Sequence, residues 1–228
     1  MTALFVTATG TGIGKTLVTC LLIRQLRATG RPVRALKPVM SGYDPAAAAE
    51  SDAGLILAAL GEPVTEATVA AIAPWRFRAP ISPDMAAARE GRALDLADIA
   101  GFCRPHVPGP DDDTVLLIEG VGGVMAPLAA RETVRDLMAA LDLPTALVAG
   151  SYLGTLSHTL SAVEAIGAKR IPLSGIIVSE SVESPVPLVE TVDALERHVA
   201  PVPVIGLPRI VAPGAAAPAM TRQLGLIS

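Results

Sequence analysis

A chain of 228 residues is long enough for one sizeable α/β domain with a full core, here an aliphatic one, since 51% of the residues are hydrophobic and only 3% aromatic. A net charge of −4 with no lysine–arginine run argues against a binder of nucleic acid or of anionic membranes. There is no basic leader ahead of an apolar stretch and no run of about 18 apolar residues, and Cys20 and Cys103 stand outside any CxxC pair, so the chain reads as a cytoplasmic protein with reduced, buried thiols.

In chain order, residues 4–7 form the first apolar strand and 15–27 a helix with Leu17, Val18, Leu21 and Leu22 on one face. A second strand is expected over 33–39, then helical patterns over 52–60 and 83–104. Residues 114–118 lack polar alternation, as a strand covered on both faces does. Further strands fall at 145–149, 175–178 and 202–205, with helices at 154–166 and 186–198. Pro-, Gly- or Ala-rich stretches at 44–51, 104–113 and 207–219 read as loops. Strands alternating with helices imply one domain, over 1–228, built on a mainly parallel sheet with helices on both faces. Ligands of such sheets bind beyond the carboxyl ends of the strands.

The residues that follow the strands carry the chemistry. Gly12-Ile13-Gly14-Lys15-Thr16 lies between a strand and a helix, the context of a phosphate-binding loop. Its backbone N–H groups and the helix N-terminus suit phosphate, Lys15 reaches the outer phosphates, and the Thr16 hydroxyl suits Mg2+. Lys37 ends an apolar strand, either as a cation aimed at the ligand edge or as a snorkelling surface lysine. Ser41 stands either at a turn or at the ligand. Ser51-Asp52 is either a helix cap or a source of a metal-binding carboxylate. Glu119 ends the strand at 114–118 and precedes Gly120-Val121-Gly122-Gly123, where phosphate-loop proteins place a second metal-binding acid. Asp111 to Asp113 read as a solvated turn, and His158 as structural. Gly154 and Thr155 open a helix whose free N–H groups suit a carboxylate.

Taken in order, the loop ending Gly14-Lys15-Thr16, then Lys37-Pro38-Val39, Ser41-Gly42, Ser51-Asp52, Ile81-Ser82-Pro83, Glu119 to Gly123 and Leu153-Gly154-Thr155-Leu156-Ser157-His158 resemble dethiobiotin synthetases, from Phe5 to about Pro208. The resemblance implies a P-loop NTPase fold. It also implies an ATP- and Mg2+-dependent ligase that closes the ureido ring of dethiobiotin from 7,8-diaminononanoate and CO2 through a phosphorylated carbamate. It implies a nucleotide site of Gly12, Ile13, Gly14, Lys15, Thr16, Leu17, Asp52, Glu119, Gly120, Val121, Gly122, Ser179, Glu180, Leu207 and Pro208. Mg2+ falls to Thr16, Asp52 and Glu119, and catalysis to Lys15 and Lys37. The diamine and its carbamate fall to Thr11, Lys37, Ser41, Leu153, Gly154 and Thr155, in a homodimer with substrate at the interface.

Three departures from the family stand out. Ala8 replaces the loop's first glycine, which places that backbone in an ordinary region and leaves flexibility to Gly10 and Gly12. Ser179 replaces the asparagine that reads adenine, which implies looser base discrimination. Residues 184–192 lack the tyrosine by which a partner subunit reaches the substrate carboxylate. The competing reading is a regulatory ATPase of the partition type, similar to ParA and MinD. It is opposed by the absence of a lysine at residues 8–13 and of a basic or amphipathic tail. A glutamine-dependent amidoligase would need a second, glutaminase domain for which the chain is too short.

Overall fold

The computed structural model describes residues 2–209 and 219–227. Six strands form its main sheet: β1 (Ala3–Ala8), β2 (Val33–Leu36), β5 (Val115–Glu119), β6 (Thr145–Gly150), β7 (Leu173–Ser179) and β8 (Val204–Leu207). Their order is β2-β5-β1-β6-β7-β8, and every neighbouring pair is parallel. The strands are short, β-branched and buried on both sides, as parallel strands under helices are. From β1 the chain runs out to the β2 edge, returns to β5, and then passes β1 to reach β6. The reversal falls at β1, so the ligand crevice is expected at its carboxyl end.

Alternation along β1 divides the core. Ala3 and Phe5 join one apolar cluster with residues of α5 (Leu96–Cys103), α6 (Val134–Leu141), α7 (Thr155–Gly167) and α8 (Leu188–Val199). Leu4, Val6 and Ala8 join the other, against α1 (Lys15–Ala28), α2 (Asp52–Leu60) and α9 (Met220–Gln223). Both faces of the sheet are therefore covered, as the sequence implied.

The strand expected over 33–39 breaks. Pro38 has no N–H to give a ladder, and the Lys37 N–H donates to the Ile72 carbonyl at 3.0 Å. Val39 begins β3 (Val39–Ser41), which pairs with β4 (Trp75–Phe77) in a small second sheet. The helix expected over 83–104 is two, α4 (Pro83–Arg89) and α5. Between them Gly91 takes φ +66°, and Asp95 caps α5 by accepting from Ala97 N at 2.6 Å. The last strand sits at Val204–Leu207 rather than 202–205. The loop expected at 44–51 holds a 3-10 helix, Pro45–Glu50, and the one at 104–113 opens with another, Arg104–His106. The short elements α3 (Glu66–Ile72), β4 and α6 were not legible in the pattern. Of the loop expected at 207–219, residues 210–218 lie outside the described residues.

Candidate active site

The site begins where β1 ends. Ala8 is the last residue of β1 and is buried, in ordinary strand geometry as its side chain requires. The turn is made further on, by Gly12 at φ +72° and Gly14 at φ +101°, and α1 starts at Lys15. Gly14 has a second reason to be glycine: a Cβ there would lie 2.9 Å from Ser179 Oγ. Gly10 corrects the sequence reading, since its φ is not positive and a Cβ would meet only Ile13, at 3.8 Å.

Lys37 is not a snorkelling surface residue. It is 1% exposed, and its ammonium donates to Glu119 Oε1 at 2.7 Å, Asp52 Oδ2 at 2.8 Å and the Gly120 carbonyl at 2.9 Å, which uses all three of its protons. Asp52 is the first residue of α2, capped by Ser51 Oγ accepting from Gly54 N, so the cap and the site carboxylate are neighbouring residues. Burial alone would lower the Lys37 pKa, but the carboxylates of Glu119 and Asp52 outweigh it and hold the pKa above the ordinary value. Burial likewise opposes ionisation of Asp52, yet Lys37 holds its pKa below the usual range.

Thr16 Oγ1 lies 2.8 Å from both Asp52 Oδ1 and Glu119 Oε1, and its one proton can serve only one of them. Glu119 is fully buried, and its Oε2 has no hydrogen-bond partner among the described residues. A hydroxyl and two carboxylates, one with an unpaired oxygen, are hard donors that fit Mg2+, which takes few protein ligands and completes its shell with water and phosphate.

Lys15 Nζ donates to the Gly122 carbonyl at 2.7 Å. Burial, then the nearby Lys37 ammonium, lowers its pKa to about 8, against partial support from Glu119 and Asp52. Below pH 8 the free protein already carries the proton that phosphate needs, so nucleotide affinity is flat. Above pH 8 the proton must be taken up on binding, and affinity is expected to fall by up to about tenfold per pH unit. Calorimetry in two buffers would detect that uptake at pH 9 and none at pH 7. An affinity flat from pH 7 to 9 would count against it.

Two cavities meet at the loop. One, of about 800 Å3, is lined by Thr11, Lys15, Thr16, Lys37, Ser41 and Asp52, together with Ile81, Ser82 and Val121 among others. The second, of about 400 Å3, is lined by Gly12, Ile13, Gly14, Leu17, Ser179, Glu180 and Pro208. Leu17 and the two loop glycines border both, so together the cavities form one trough over the phosphate loop. The Glu180 carboxylate accepts from Arg209 N at 2.8 Å, and Leu207 ends β8 beneath it. Tyr152, Ser181, Val182 and Arg209 also line the second cavity and escaped the sequence reading. Leu153, Gly154 and Thr155 line neither cavity; the Thr155 hydroxyl donates to the Gly150 carbonyl at 2.6 Å, and Leu153 is 85% exposed. Asp111 to Asp113 lie near the surface, and burial pushes the Cys20 and Cys103 thiols up to about 11 and 12.

A strand, a glycine turn and a helix opening on Lys15-Thr16, faced by an acid at the end of β5, define a P-loop nucleoside triphosphatase fold. Residues 2–210 match the family model described as an AAA domain. The chain is 52% identical over 202 residues to the ATP-dependent dethiobiotin synthetase of Methylobacterium nodulans, covering 87% of this chain and 89% of that protein. It is 50% identical over 204 residues to the same enzyme of Acidiphilium cryptum, covering 89% and 91%. Among solved structures it is similar to the MinC:MinD cell division protein complex of Aquifex aeolicus, with a TM-score of 0.56 at 13% identity over 92% of this chain and 82% of that one. That likeness is one of fold. The chain belongs to the ATP-dependent dethiobiotin synthetase family.

Proposed function

We propose that the protein closes the ureido ring of dethiobiotin, a step of biotin biosynthesis, from 7,8-diaminononanoate, CO2 (or bicarbonate) and ATP, as a cytoplasmic, Mg2+-dependent homodimer. The observation that carries this reading is the buried Lys37 ammonium on the wall of the larger cavity, beside the phosphate loop.

One amine of the diamine adds to CO2 and loses a proton, giving a carbamate. A carbamate oxygen then attacks the γ-phosphorus of ATP, and ADP leaves. The second amine attacks the carbamoyl carbon, the C–O bond breaks, and phosphate departs. Phosphoryl transfer of this kind needs positioning and charge neutralisation more than covalent help from the protein. Lys37 turns the donor it gives Asp52 toward the carbamate and offsets its charge, while Lys15 leaves the Gly122 carbonyl for the outer phosphates. Thr11 and Ser41 orient the amine end. Thr16, Asp52 and Glu119 would hold Mg2+, which supplies charge neutralisation at the transferred phosphoryl group.

The backbone at Leu153, Gly154 and Thr155 receives the substrate's distal carboxylate. Because these residues lie outside the cavity of a single chain, that role rests on the dimer. The exposed Leu153 and Leu156 at the start of α7 supply apolar surface for it. A sedimentation measurement giving a monomer at working concentration would remove this part.

Phosphate release tests the whole. Release that depends on the diamine supports the ligase. Release that depends instead on DNA or liposomes would favour the partition-type switch, whose fold the chain shares.

Ser179 makes a separate expectation. One hydroxyl cannot select adenine as an amide can. CTP and GTP are therefore expected to support turnover within about a thousandfold of ATP in kcat/KM, a gap of about 4 kcal/mol. A wider gap would contradict it, and Ser179→Asn is expected to widen the gap in favour of ATP.

A further inference from the structure

The ends of β6 and β7 are tied together where the smaller cavity opens. Gly150 pairs in register with Ser179 across the two strands. Just beyond, Ser151 N donates to Ser181 Oγ at 3.0 Å and Ser181 N donates to Ser151 Oγ at 2.9 Å. Ser184 Oγ lies 3.0 Å from the Ser151 carbonyl and 2.8 Å from the Val186 carbonyl, and its one proton serves one of them at a time. This clasp fixes the residue that follows, Tyr152, relative to Ser179 and Val182.

The ring itself has little freedom. A Cβ on Gly150 would lie 2.7 Å from Tyr152 Cδ1, so the glycine leaves the space that the ring fills. On its far side the Tyr152 hydroxyl lies 2.9 Å from His158 Nδ1, with the two rings tilted at 45° and their centroids 5.7 Å apart. Tyr152 lines the same cavity as Gly12 and Gly14 of the phosphate loop and Ser179 at the end of β7.

We infer that Tyr152 is the aromatic wall against which the base of the nucleotide packs, and that His158 is a positioning residue that sets its ring. This rests on the nucleotide reading given above. Every base presents a π-face, so an aromatic wall gives affinity with little discrimination. That suits a site in which a serine hydroxyl, Ser179, stands where an amide would select the base. The phosphates lie at the other end of the trough, on Lys15 and Thr16, so base and phosphate binding are separable.

Calorimetry with Mg2+ and either ATP or inorganic tripolyphosphate tests this on wild type, Tyr152→Phe, Tyr152→Ala and His158→Ala. Tyr152→Ala is expected to weaken ATP about tenfold and leave tripolyphosphate unchanged. Unchanged tripolyphosphate binding also shows the variant to be folded. Tyr152→Phe keeps the π-face but loses the hydroxyl bond to His158, so it should weaken ATP only as far as His158→Ala does. His158→Ala should weaken ATP binding in the wild-type background but add nothing to Tyr152→Ala or Tyr152→Phe, because it acts through the ring. Equal loss of both ligands, or loss of neither, would overturn the assignment of Tyr152. A His158 effect that persists without the ring would overturn the role of His158. Wild-type protein that binds no nucleotide would instead sink the nucleotide reading itself.

Discussion

Lys37→Ala is expected to lower kcat for dethiobiotin formation by about 10²–10³-fold, the cost of removing one donor aimed at developing charge. Three bonds hold this ammonium in a site that is 1% exposed. The same substitution bears on stability. It leaves the buried Glu119 and the Asp52 carboxylate without the ammonium they share, and breaking the buried Lys37–Glu119 pair in this way costs about 3–5 kcal/mol. Mg2+ is expected to recover part of that loss, because a metal on Thr16, Asp52 and Glu119 would neutralise the two acids. A thermal melt with and without Mg2+ therefore separates the two roles of Lys37. The variant should gain more from the metal than the wild type does, while its turnover stays low. Equal gains in both proteins would mean that the lysine and the metal do not answer to the same carboxylates.

Glu119→Gln is the second large effect. Glu119 Oε1 receives the Lys37 ammonium and approaches Thr16 Oγ1, while Oε2 is buried without a partner among the described residues. An amide keeps the shape but loses the charge, so both the metal and the lysine lose their strongest partner. Substitutions one shell further from a metal cost about 10–100-fold, so a direct ligand is expected to cost at least about 100-fold in turnover, with half-saturation by Mg2+ moved upward. Turnover within about tenfold of wild type at ordinary Mg2+ would take Glu119 out of the metal site.

The legible part of the site lay at strand ends, where an odd residue closes an otherwise apolar run. Lys37 after β2 and Glu119 at the end of β5 stood out for that reason, and the glycines before Lys15-Thr16 announced the loop. Less legible was the exact course of the chain around them. Pro38 turns it into a second sheet, a switch that a continuous apolar run from 33 to 39 conceals. Tyr152, Ser181 and Arg209 were missed because each lies in a connection, and only the pairing of β6 with β7 and of β7 with β8 brings them together. Gly10 was expected to share the loop's flexibility with Gly12, yet its φ is not positive and a Cβ there would meet nothing closer than Ile13 at 3.8 Å. The helix at Gly154 was found, but the cavity of one chain does not reach it.

In the proposed reaction a carbamate oxygen attacks ATP beside Lys37. Supplying 18O-labelled CO2 with the diamine, ATP and Mg2+, and weighing the phosphate released early in the reaction, follows that oxygen. Attack by the carbamate carries one labelled oxygen into phosphate for each dethiobiotin formed, and Lys37→Ala should remove both together. Phosphate free of label, with dethiobiotin still accumulating, would rule out attack by the carbamate oxygen.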